Sequence, residues 1–577
     1  MIILGLNINH ADSSACIIVN GKIIAAMEEE RFVRVKHYSG FPFNAIEFCL
    51  ETSSLKLSEV NFVTLNYSPS SNLKEKFMYG IKNIISKATL KKILSFKNKL
   101  FLSSDLNKFL SQNNFNGKVI NVEHHTSHMA SSYHNSNFNN AVGLTIDGFG
   151  DFCSTESFIC NNSKIQSIQK VYFPHSLGIL YQSITQFLGF KNYGDEYKVM
   201  GLASYGNPQF LKEFESLIQY NKNNYFLLNL DYFSHHTNSE FSYNFPDGIP
   251  KFPNLYSKKI TELLGEERRP GEKIEKKHFD IASSLQKCFE NIVFLILNKL
   301  YLDTNIENLC LAGGCALNSK FNGLIKENTP FKNIFIQPNA GDAGGSMGSA
   351  LHFLKQNESS TYQNELNKCY LGSEYTNDFI EEHLIKKNNL VKNYTCKKLS
   401  DSDLYTEVAK RISTNQIIGW FKGRCEWGPR ALGNRSILAD ARNPEIKDIL
   451  NKKIKLRETF RPFAPAVLEE FSDTYFDLNY PSPFMLNVVN AKKLAKDKVP
   501  SVVHVDNTCR VQTVNKNNNY HFYNLIAEFD KITGVPILLN TSFNENEPIV
   551  LTPEHAFNCF NRTSMDCLVL ENWVISR

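Results

Sequence analysis

Two histidines and two aspartates in this sequence have the residue types and spacing of a metal site. His124 and His128 stand at i and i+4 in EHHTSHMASSYH, so a helix would project both imidazoles from one face at ligand spacing. Such a pair alone is more often structural, but Asp147 follows the apolar run AVGLTI and Asp342 lies in the glycine-rich turn NAGDAGG. The four side chains would suit iron, manganese or zinc, held as a catalytic ion that touches phosphate oxygens.

Arginines crowd the last third of the chain. They lie in GWFKGRCEWGPRALGNRS and LRETFRPFAPAV, where proline, glycine and aromatic neighbours indicate a site surface rather than a helix. Glu426 and Glu458 interrupt the basic residues, which favours a compact pocket for a small, highly charged anion over a nucleic-acid stripe. The polar end of VPILLNTSFN could complete this pocket, or could be an ordinary loop at a strand end. The candidate residues are Arg424, Arg430, Arg435, Lys455, Arg457, Arg461, Arg510, Asn540, Thr541, Ser542 and Asn544.

A third candidate, His10, lies in NINHADSS directly after the first predicted strand. An imidazole there could act as general base on an acceptor hydroxyl, because its ordinary pKa lies near neutrality. A loop histidine that only caps backbone groups would give the same sequence, so both interpretations stand.

The elements that must position these residues form a repeated pattern. Residues 2–8 predict a buried strand, followed by a polar loop and by SACIIV and KIIAAMEE, which meet at Asn20-Gly21, a dipeptide typical of a type I′ turn. Further along, AVGLTI, DGFGD, STESFIC, NNSK and IQSIQKVYF repeat that order. Such a duplication is typical of the actin-like ATPase fold, in which loops of the two halves face each other across a cleft and hold phosphates.

Glycine-rich turns supply backbone that a nucleotide could approach closely. NLCLAGG runs through Gly313 and Gly314 into a predicted helix, and Gly341 belongs to a second such turn. Each turn alone would be an ordinary strand-to-helix connection, but together with the duplication they favour nucleotide binding. Ser13 and Gly148, in the two polar loops, would contribute to the same site.

A chain of 577 residues suggests two or more domains. We predict an N-terminal domain over 1–355, a polar linker at 355–366 and a C-terminal domain over 367–577, with 207–269 as an insertion. The formal net charge of +5 is too small to indicate a nucleic-acid partner. Thirteen cysteines without a CxxC pair predict no disulfide framework and favour a cytoplasmic location. Neither a signal peptide nor a membrane span is predicted.

In their order along the chain, the motifs resemble the O-carbamoyltransferases of antibiotic and nodulation-factor biosynthesis. The resemblance runs from GLNINHADSSACIIVNGKIIAAMEEERFVRVKHYSGFP through HHTSHMASS, LTIDGFGD, GDEYKVMGLASYG, AGGCALN and GDAGGSMGSA to GRCEWGPRALGNRSILADAR, FRPFAPA and LNTSFN. It implies an α/β protein: a duplicated actin-like (ASKHA) N-terminal domain similar to the tRNA threonylcarbamoyl-transfer protein, and an α/β C-terminal domain similar to threonylcarbamoyl-AMP synthase.

The resemblance implies two reactions. The C-terminal domain would use carbamoyl phosphate and ATP with Mg²⁺ to form carbamoyl adenylate and pyrophosphate. The intermediate would pass through the interior to the N-terminal domain, where a hydroxyl of a sugar-bearing or other polar small molecule, or of a glycan, would accept the carbamoyl group. The alternatives are threonylcarbamoyl-type transfer to RNA, which the small net charge disfavours, and an actin-like ATPase binding module, which has no need of the arginine-rich domain. A homodimer is a reasonable default.

Carried over position by position, the resemblance also implies roles. His10 matches the general base, and Lys36 falls where acceptor contacts lie. The positions that match the iron (Fe²⁺) ligands are His124, His128, Asp147 and Asp342, those of the carbamoyl phosphate pocket are Arg430, Lys455, Arg461, Arg510, Asn540 and Ser542, and those in nucleotide-lining blocks are Lys198, Gly313, Gly314 and Asn318. In many members of the family this histidine is followed directly by the aspartate, whereas here Ala11 separates His10 from Asp12. The loop could bulge to keep His10 in place, or the role could shift to water or to Asp12.

Overall fold

The computed structural model describes residues 1–8, 10–82, 104–241, 245, 247–357 and 369–577. The chain forms two compact units: unit 1, residues 1–318 with 325–365, and unit 2, residues 319–324 with 366–577. The linker predicted at 355–366 lies outside the described residues from position 358 onward.

The described part of unit 1 contains two five-stranded sheets and a two-stranded ribbon. Its strands are β1 Ile2–Asn7, β2 Ser14–Val19, β3 Lys22–Glu28, β4 Phe62–Leu65, β5 Lys118–Asn121, β6 Asn140–Gly150, β7 Cys153–Asn161, β8 Lys164–Tyr172, β9 Ile218–Asn221, β10 Tyr225–Leu228, β11 Asn308–Ala312 and β12 Asn333–Ile336. The sheet orders are β3-β2-β1-β4-β5 and β12-β11-β6-β7-β8, and β9 pairs with β10 in the ribbon, within the predicted insertion.

The two five-stranded sheets repeat one topology. In each, an antiparallel meander, β1-β2-β3 or β6-β7-β8, is extended beside its first strand by two parallel strands, β4-β5 or β11-β12. Asn20 and Gly21 have φ of 49° and 80°, as a type I′ turn requires. The repeated topology confirms the predicted duplication and the actin-like fold class.

Helices of unit 1 connect these strands. They are α1 Glu30–Val33, α2 Phe43–Thr52, α3 Leu73–Lys82, α4 Ser104–Gln112, α5 His124–Tyr133, α6 Leu177–Phe187, α7 Glu196–Leu202, α8 Leu211–Leu217, α9 Lys258–Leu264, α10 Lys276–Thr304, α11 Ser319–Asn328 and α12 Gly344–Asn357; the first six residues of α11 belong to unit 2. The i, i+4 histidines therefore lie on α5, as the spacing predicted.

Helix α12 packs closely on β1 and on α5 because glycines lie at both contacts. A Cβ on Gly5 would be 2.0 Å from Ser346 O, and a Cβ on Gly348 would be 1.8 Å from Ser127 O. Glycine, which has no Cβ, permits these close backbone approaches. The packing brings the helix that carries His124 and His128 against the helix that follows Asp342.

Unit 2 is built on one nine-stranded sheet among its described residues. The strands are β13 Thr395–Lys398, β14 Ile418–Phe421, β15 Arg435–Asp440, β16 Ala464–Leu468, β17 Asn487–Asn490, β18 Thr508–Val514, β19 Ile537–Ser542, β20 Cys567–Leu570 and β21 Trp573–Ser576. Their order is β13-β21-β20-β14-β15-β19-β16-β18-β17. The helices are α13 Asn377–Ile380, α14 Asp401–Ser413, α15 Ile446–Ile449, α16 Ser472–Tyr475, α17 Lys493–Lys498, α18 Tyr520–Thr533 and α19 Pro553–Arg562.

Alternating side chains of this sheet form two apolar clusters. Trp420 and Leu438 pack with α14 and α18, whereas their neighbours Phe421 and Ile437 pack in the cluster that includes α19. The sheet is thus covered on both faces, which explains why β14 and β19 read as continuous apolar runs. In the described ranges no helix is both long and apolar enough to cross a membrane.

Gly348→Ala should destabilise unit 1, because the new methyl group would lie 1.8 Å from a backbone oxygen of α5. Alanine would otherwise stabilise a helix interior by up to about 1 kcal/mol, but overpacking costs about 1–3 kcal/mol of unfolding free energy and should dominate. Urea denaturation followed by circular dichroism measures the change. Gly341→Ala is the control, since a Cβ there meets nothing within 4 Å; equal stability of the two variants would contradict the close packing.

Candidate active site

The N-terminus of α5 is fixed by carboxylates from two directions. Glu123 accepts a hydrogen bond from Thr126 N (2.7 Å) and caps the helix, while Asp151 Oδ2 accepts one from His124 N (2.9 Å). Gly150 leaves room for the His124 ring, because a Cβ there would lie 2.0 Å from it. His125 turns away and bonds Thr145 through Nδ1 (2.8 Å), so α5 presents His124 and His128 together.

The structure brings the four predicted metal ligands into one cluster. His128 Nε2 lies 2.9 Å from Asp147 Oδ2 and 3.1 Å from His124 Nε2, and Asp342 Oδ1 lies 3.5 Å and 3.6 Å from the Nε2 atoms of His128 and His124. One ligand atom from each residue falls within 4.8 Å of all the others. Asp147 lies inside β6, where pairing with β7 is interrupted between Ile146 and Gly150.

Burial makes the electrostatics of this cluster strong. Burial alone would lower the pKa of His128, but the carboxylates of Asp147 and Asp342 raise it to about 9. Burial would raise the pKa of each carboxyl, but His124 and His128 lower that of Asp147, and His10 lowers that of Asp342. The carboxylates therefore remain charged, as metal ligands must be.

The donor set fits a metal ion. Asp342 Oδ1 is buried and has no hydrogen-bond partner among the described residues. Two imidazole nitrogens and two carboxylate oxygens form a mixed set suited to iron, manganese or zinc. An ion here would lie beside the glycine turns of the cleft.

His10 lies at the edge of the same cluster. Its Nδ1 lies 2.6 Å from Asp342 Oδ2, and its ring centroid lies 5.5 Å from that of His124. Ala11 is buried, and the Asn7 side-chain amide donates to both Ala11 O and Asp12 O at 2.9 Å. These bonds and a positive φ of 58° at Asp12 form a bulge in the loop, and His10 lies at the cluster.

The glycines predicted to line the nucleotide cleft lie beside Asp147. Gly148 N donates to Asp147 Oδ1 (2.7 Å), and a Cβ on Gly314 would lie 3.2 Å from the same oxygen. Gly313 has φ of 89° and donates to Ala340 O (2.8 Å), while a Cβ on Gly341 would meet nothing within 4 Å. Open backbone therefore adjoins the carboxylate cluster, as phosphate binding would need.

The predicted polar site residues have partners within the fold. Ser13 Oγ donates to Gly40 O (2.5 Å), Lys198 pairs with Asp195 (2.8 Å), and Asn318 Nδ2 donates to Gln286 Oε1 (2.9 Å). Lys36 is exposed in the turn after α1.

Unit 2 holds a positive cluster around Arg510, on β18. Its Nε is buried, and no described side chain forms a hydrogen bond or ion pair with this guanidinium. Burial lowers the pKa of Arg510 well below its ordinary value, and the charges of Arg430, Arg457 and Arg461 lower it further. Like charges held this close repel one another, so the arrangement calls for an anion.

Lys455 is hydrogen-bonded to the end of β19 and to the loop that follows it. Its Nζ donates to the backbone and side-chain oxygens of Ser542 (2.5 and 3.2 Å) and of Asn544 (2.8 and 2.7 Å). All four oxygens are neutral, so the bonds orient the ammonium without cancelling its charge. Asn540 Nδ2 donates to Gln512 Oε1 (2.8 Å), a residue that the motifs did not single out.

The loop of Arg430 is held by Glu426, which the sequence presented only as an interruption among basic residues. One buried carboxylate oxygen, Oε1, accepts from the backbone N–H groups of Leu432 (2.8 Å), Asn434 (2.7 Å) and Arg435 (3.1 Å). Arg424 and Arg435 donate to backbone carbonyls of other loops, so these two arginines support the loop instead of facing the anion pocket.

Two family models match this chain. The family model "Carbamoyltransferase N-terminus" matches residues 2–351, and "Carbamoyltransferase C-terminus" matches residues 409–577. The chain is 37% identical to an uncharacterised protein of Synechocystis sp., over 100% of this chain and 96% of that protein. It is 35% identical to nodulation protein NolNO of Sinorhizobium fredii, over 98% of this chain and 79% of that protein.

Two further matches are more distant. An uncharacterised protein of Methanocaldococcus jannaschii is 31% identical over 100% of this chain and 99% of its own length. A crystal structure of full-length HypF shows 15% identity and a TM-score of 0.32 over 63% of this chain and 47% of that chain, a level that says nothing about activity. The two family models, which together span nearly the whole sequence, show that this chain is an enzyme that belongs to the carbamoyltransferase family.

Proposed function

We propose that this protein is an ATP-dependent O-carbamoyltransferase. Unit 2 uses carbamoyl phosphate and ATP, with its Mg²⁺, to form carbamoyl adenylate, and unit 1 transfers the carbamoyl group to a hydroxyl of a polar small molecule or glycan. The observation that carries the proposal is Arg510, a partly buried residue with a buried Nε, which lies among three other arginines and forms no ion pair with a described carboxylate.

Carbamoyl phosphate matches this cluster in charge and in hydrogen-bonding groups. Guanidinium groups bind phosphate oxygens in pairs, and a dianion would offset the repulsion among the arginines. Asn540 Oδ1 is buried and has no hydrogen-bond partner in the part of the chain described, so it could accept an N–H of the carbamoyl group. Lys455, oriented by Ser542 and Asn544, adds a point charge.

The reaction in unit 2 would have two steps, hydrolysis of carbamoyl phosphate and adenylation of the carbamate. Water releases phosphate from carbamoyl phosphate and leaves carbamate, one oxygen of which attacks the α-phosphorus of ATP. Pyrophosphate leaves, and carbamoyl adenylate remains. Because this mixed anhydride would be lost to bulk water, it must be used where water is excluded.

The transfer step belongs to the histidine and aspartate cluster of unit 1. His124, His128, Asp147 and Asp342 would hold an iron-type ion, which when bound would stabilise negative charge on the carbonyl or leaving group. Asp342 fixes Nδ1 of His10, so the acceptor proton would be taken at Nε2. Gly314, on which a Cβ would lie 3.2 Å from Asp147 Oδ1, leaves backbone beside this point for the adenylate phosphate.

Arg510→Ala should reduce the release of pyrophosphate from ATP and carbamoyl phosphate, measured without acceptor. Loss of a charge-assisted hydrogen bond to a reacting anion costs about 2.7–4 kcal/mol, or about a hundredfold to a thousandfold in rate. Arg411→Ala, which removes an arginine paired with Glu407 on α14, is the control and should keep the wild-type rate. Full pyrophosphate release by Arg510→Ala would show that the pocket is assigned wrongly.

His128→Ala should lower bound iron, measured by elemental analysis, and abolish transfer to the acceptor. Pyrophosphate release should remain, because that step belongs to unit 2. The control is His125→Gln on the same helix, whose parent side chain bonds Thr145 and not the cluster. Unchanged metal content in a folded His128→Ala protein would refute the ligand set.

His10→Asn should lower the transfer rate by about a hundredfold or more, the usual effect of losing a general base. Metal content and pyrophosphate release should stay at wild-type levels, since His10 lies outside the four ligands. Product formation is measured by mass spectrometry as the gain of one carbamoyl group. Near-normal transfer by His10→Asn would exclude it as the base.

A further inference from the structure

We propose that His37 is a positioning residue for the transfer step: its ion pair with Asp12 holds the loop that presents His10. This inference rests on the proposed role of His10. The contact joins His37 Nδ1 and Asp12 Oδ1 at 2.8 Å. Neither residue is a member of the metal cluster.

His37 is fixed from three sides. Its backbone N–H donates to Glu30 Oε2 (2.8 Å), and the ring of Tyr193 packs edge-on at 5.3 Å. A Cβ on Gly194 would lie 2.2 Å from His37 Nε2, so glycine is needed where the imidazole packs. A ring held in this way can serve as a fixed anchor for a neighbouring loop.

The loop that His37 anchors has an unusual backbone conformation at Asp12. Asp12 has φ of 58°, a left-handed conformation that costs a non-glycine residue free energy and persists only where surrounding contacts enforce it. Two contacts enforce it here: the Asn7 amide on the carbonyls of Ala11 and Asp12, and His37 on the Asp12 carboxylate. Because His10 lies two residues before Asp12, the same contacts set where its ring points.

The contact also answers whether Asp12 could replace His10 as base. Asp12 Oδ1 is bonded to His37, whereas His10 reaches Asp342 in the metal cluster. The structure therefore gives the two residues different tasks: His10 faces the site, and Asp12 anchors the loop.

The charges around His37 favour its protonated form. Asp12 on the first loop, Glu30 on α1 and Glu196 on α7 face it, and the ring of Tyr193 packs against it. Burial would lower the pKa of His37, but these carboxylates raise it from 6.5 to about 9. Since the folded-state pKa is the higher one, the pair contributes its full stability below about pH 6.5, and loses it as the pH rises through about 9.

The test uses His37→Gln, Asp12→Asn and the double variant of the full-length, metal-loaded enzyme. Each single variant should increase amide hydrogen exchange in residues 10–14 and lower transfer by about tenfold to a hundredfold, as displacement of a catalytic group does. Pyrophosphate release and metal content should not change. Because the two residues act through one contact, the double variant should be no worse than the worse single variant. His383→Gln, an exposed histidine of unit 2, is the control.

Histidine NMR adds a readout that does not depend on activity. The His37 resonance, identified by its absence in His37→Gln, should titrate near pH 9 in the wild type and at a lower pH in Asp12→Asn, which removes the largest of the influences that raise its pKa. A wild-type titration near 6.5, unchanged exchange in residues 10–14, or additive losses in the double variant would overturn the proposal. An enzyme that makes no pyrophosphate would refute the proposed function instead, and exchange and titration would still decide whether His37 orders the loop.

Discussion

The arrangement of unit 1 depends on the contacts made by one buried carboxylate, that of Asp342. One oxygen lies 2.6 Å from His10, on the loop of the first sheet, and the other faces both histidines of α5. Asp342 is held there because α12 begins two residues later and packs through glycines on β1 and α5. Ser14 Oγ, which donates to Ala343 O (2.8 Å), ties the first strand pair to the same turn. The duplicated fold thus brings residues distant in sequence to one carboxylate.

The charged clusters of the two units would bind ligands of opposite charge. Unit 1 gathers carboxylates and imidazoles in a buried cluster, where a cation would satisfy Asp342 Oδ1. Unit 2 gathers Arg510 and its arginine neighbours, where an anion would relieve the repulsion. Unpaired buried charge is costly, so each cluster persists because the rest of its unit holds it. Glu426 does so in unit 2 by binding three backbone N–H groups of one loop.

Local periodicity explains what could be predicted from the sequence. Features that depend on residues close in sequence were revealed by patterns of period two and four. They are the strand and hairpin order of both halves, the type I′ turn at Asn20-Gly21 and the shared face of His124 and His128. Three features had no such pattern: the role of Glu426, the four oxygens around Lys455 and the His37 contact. They depend on pairs 25 to 89 residues apart or on backbone groups without a sequence signal. The motif RVKH drew attention to Lys36, whereas the contact with Asp12 is made by its neighbour His37.

The most direct test of the central claim, that unit 2 activates the carbamoyl group as an adenylate, is isotope exchange between labelled pyrophosphate and ATP. Formation of carbamoyl adenylate is reversible in the presence of pyrophosphate, so label should enter ATP only when carbamoyl phosphate is supplied. Exchange should be retained in His128→Ala, because the cluster of unit 1 acts later. Absence of exchange with the wild-type enzyme, together with conversion of ATP to ADP, would contradict the account.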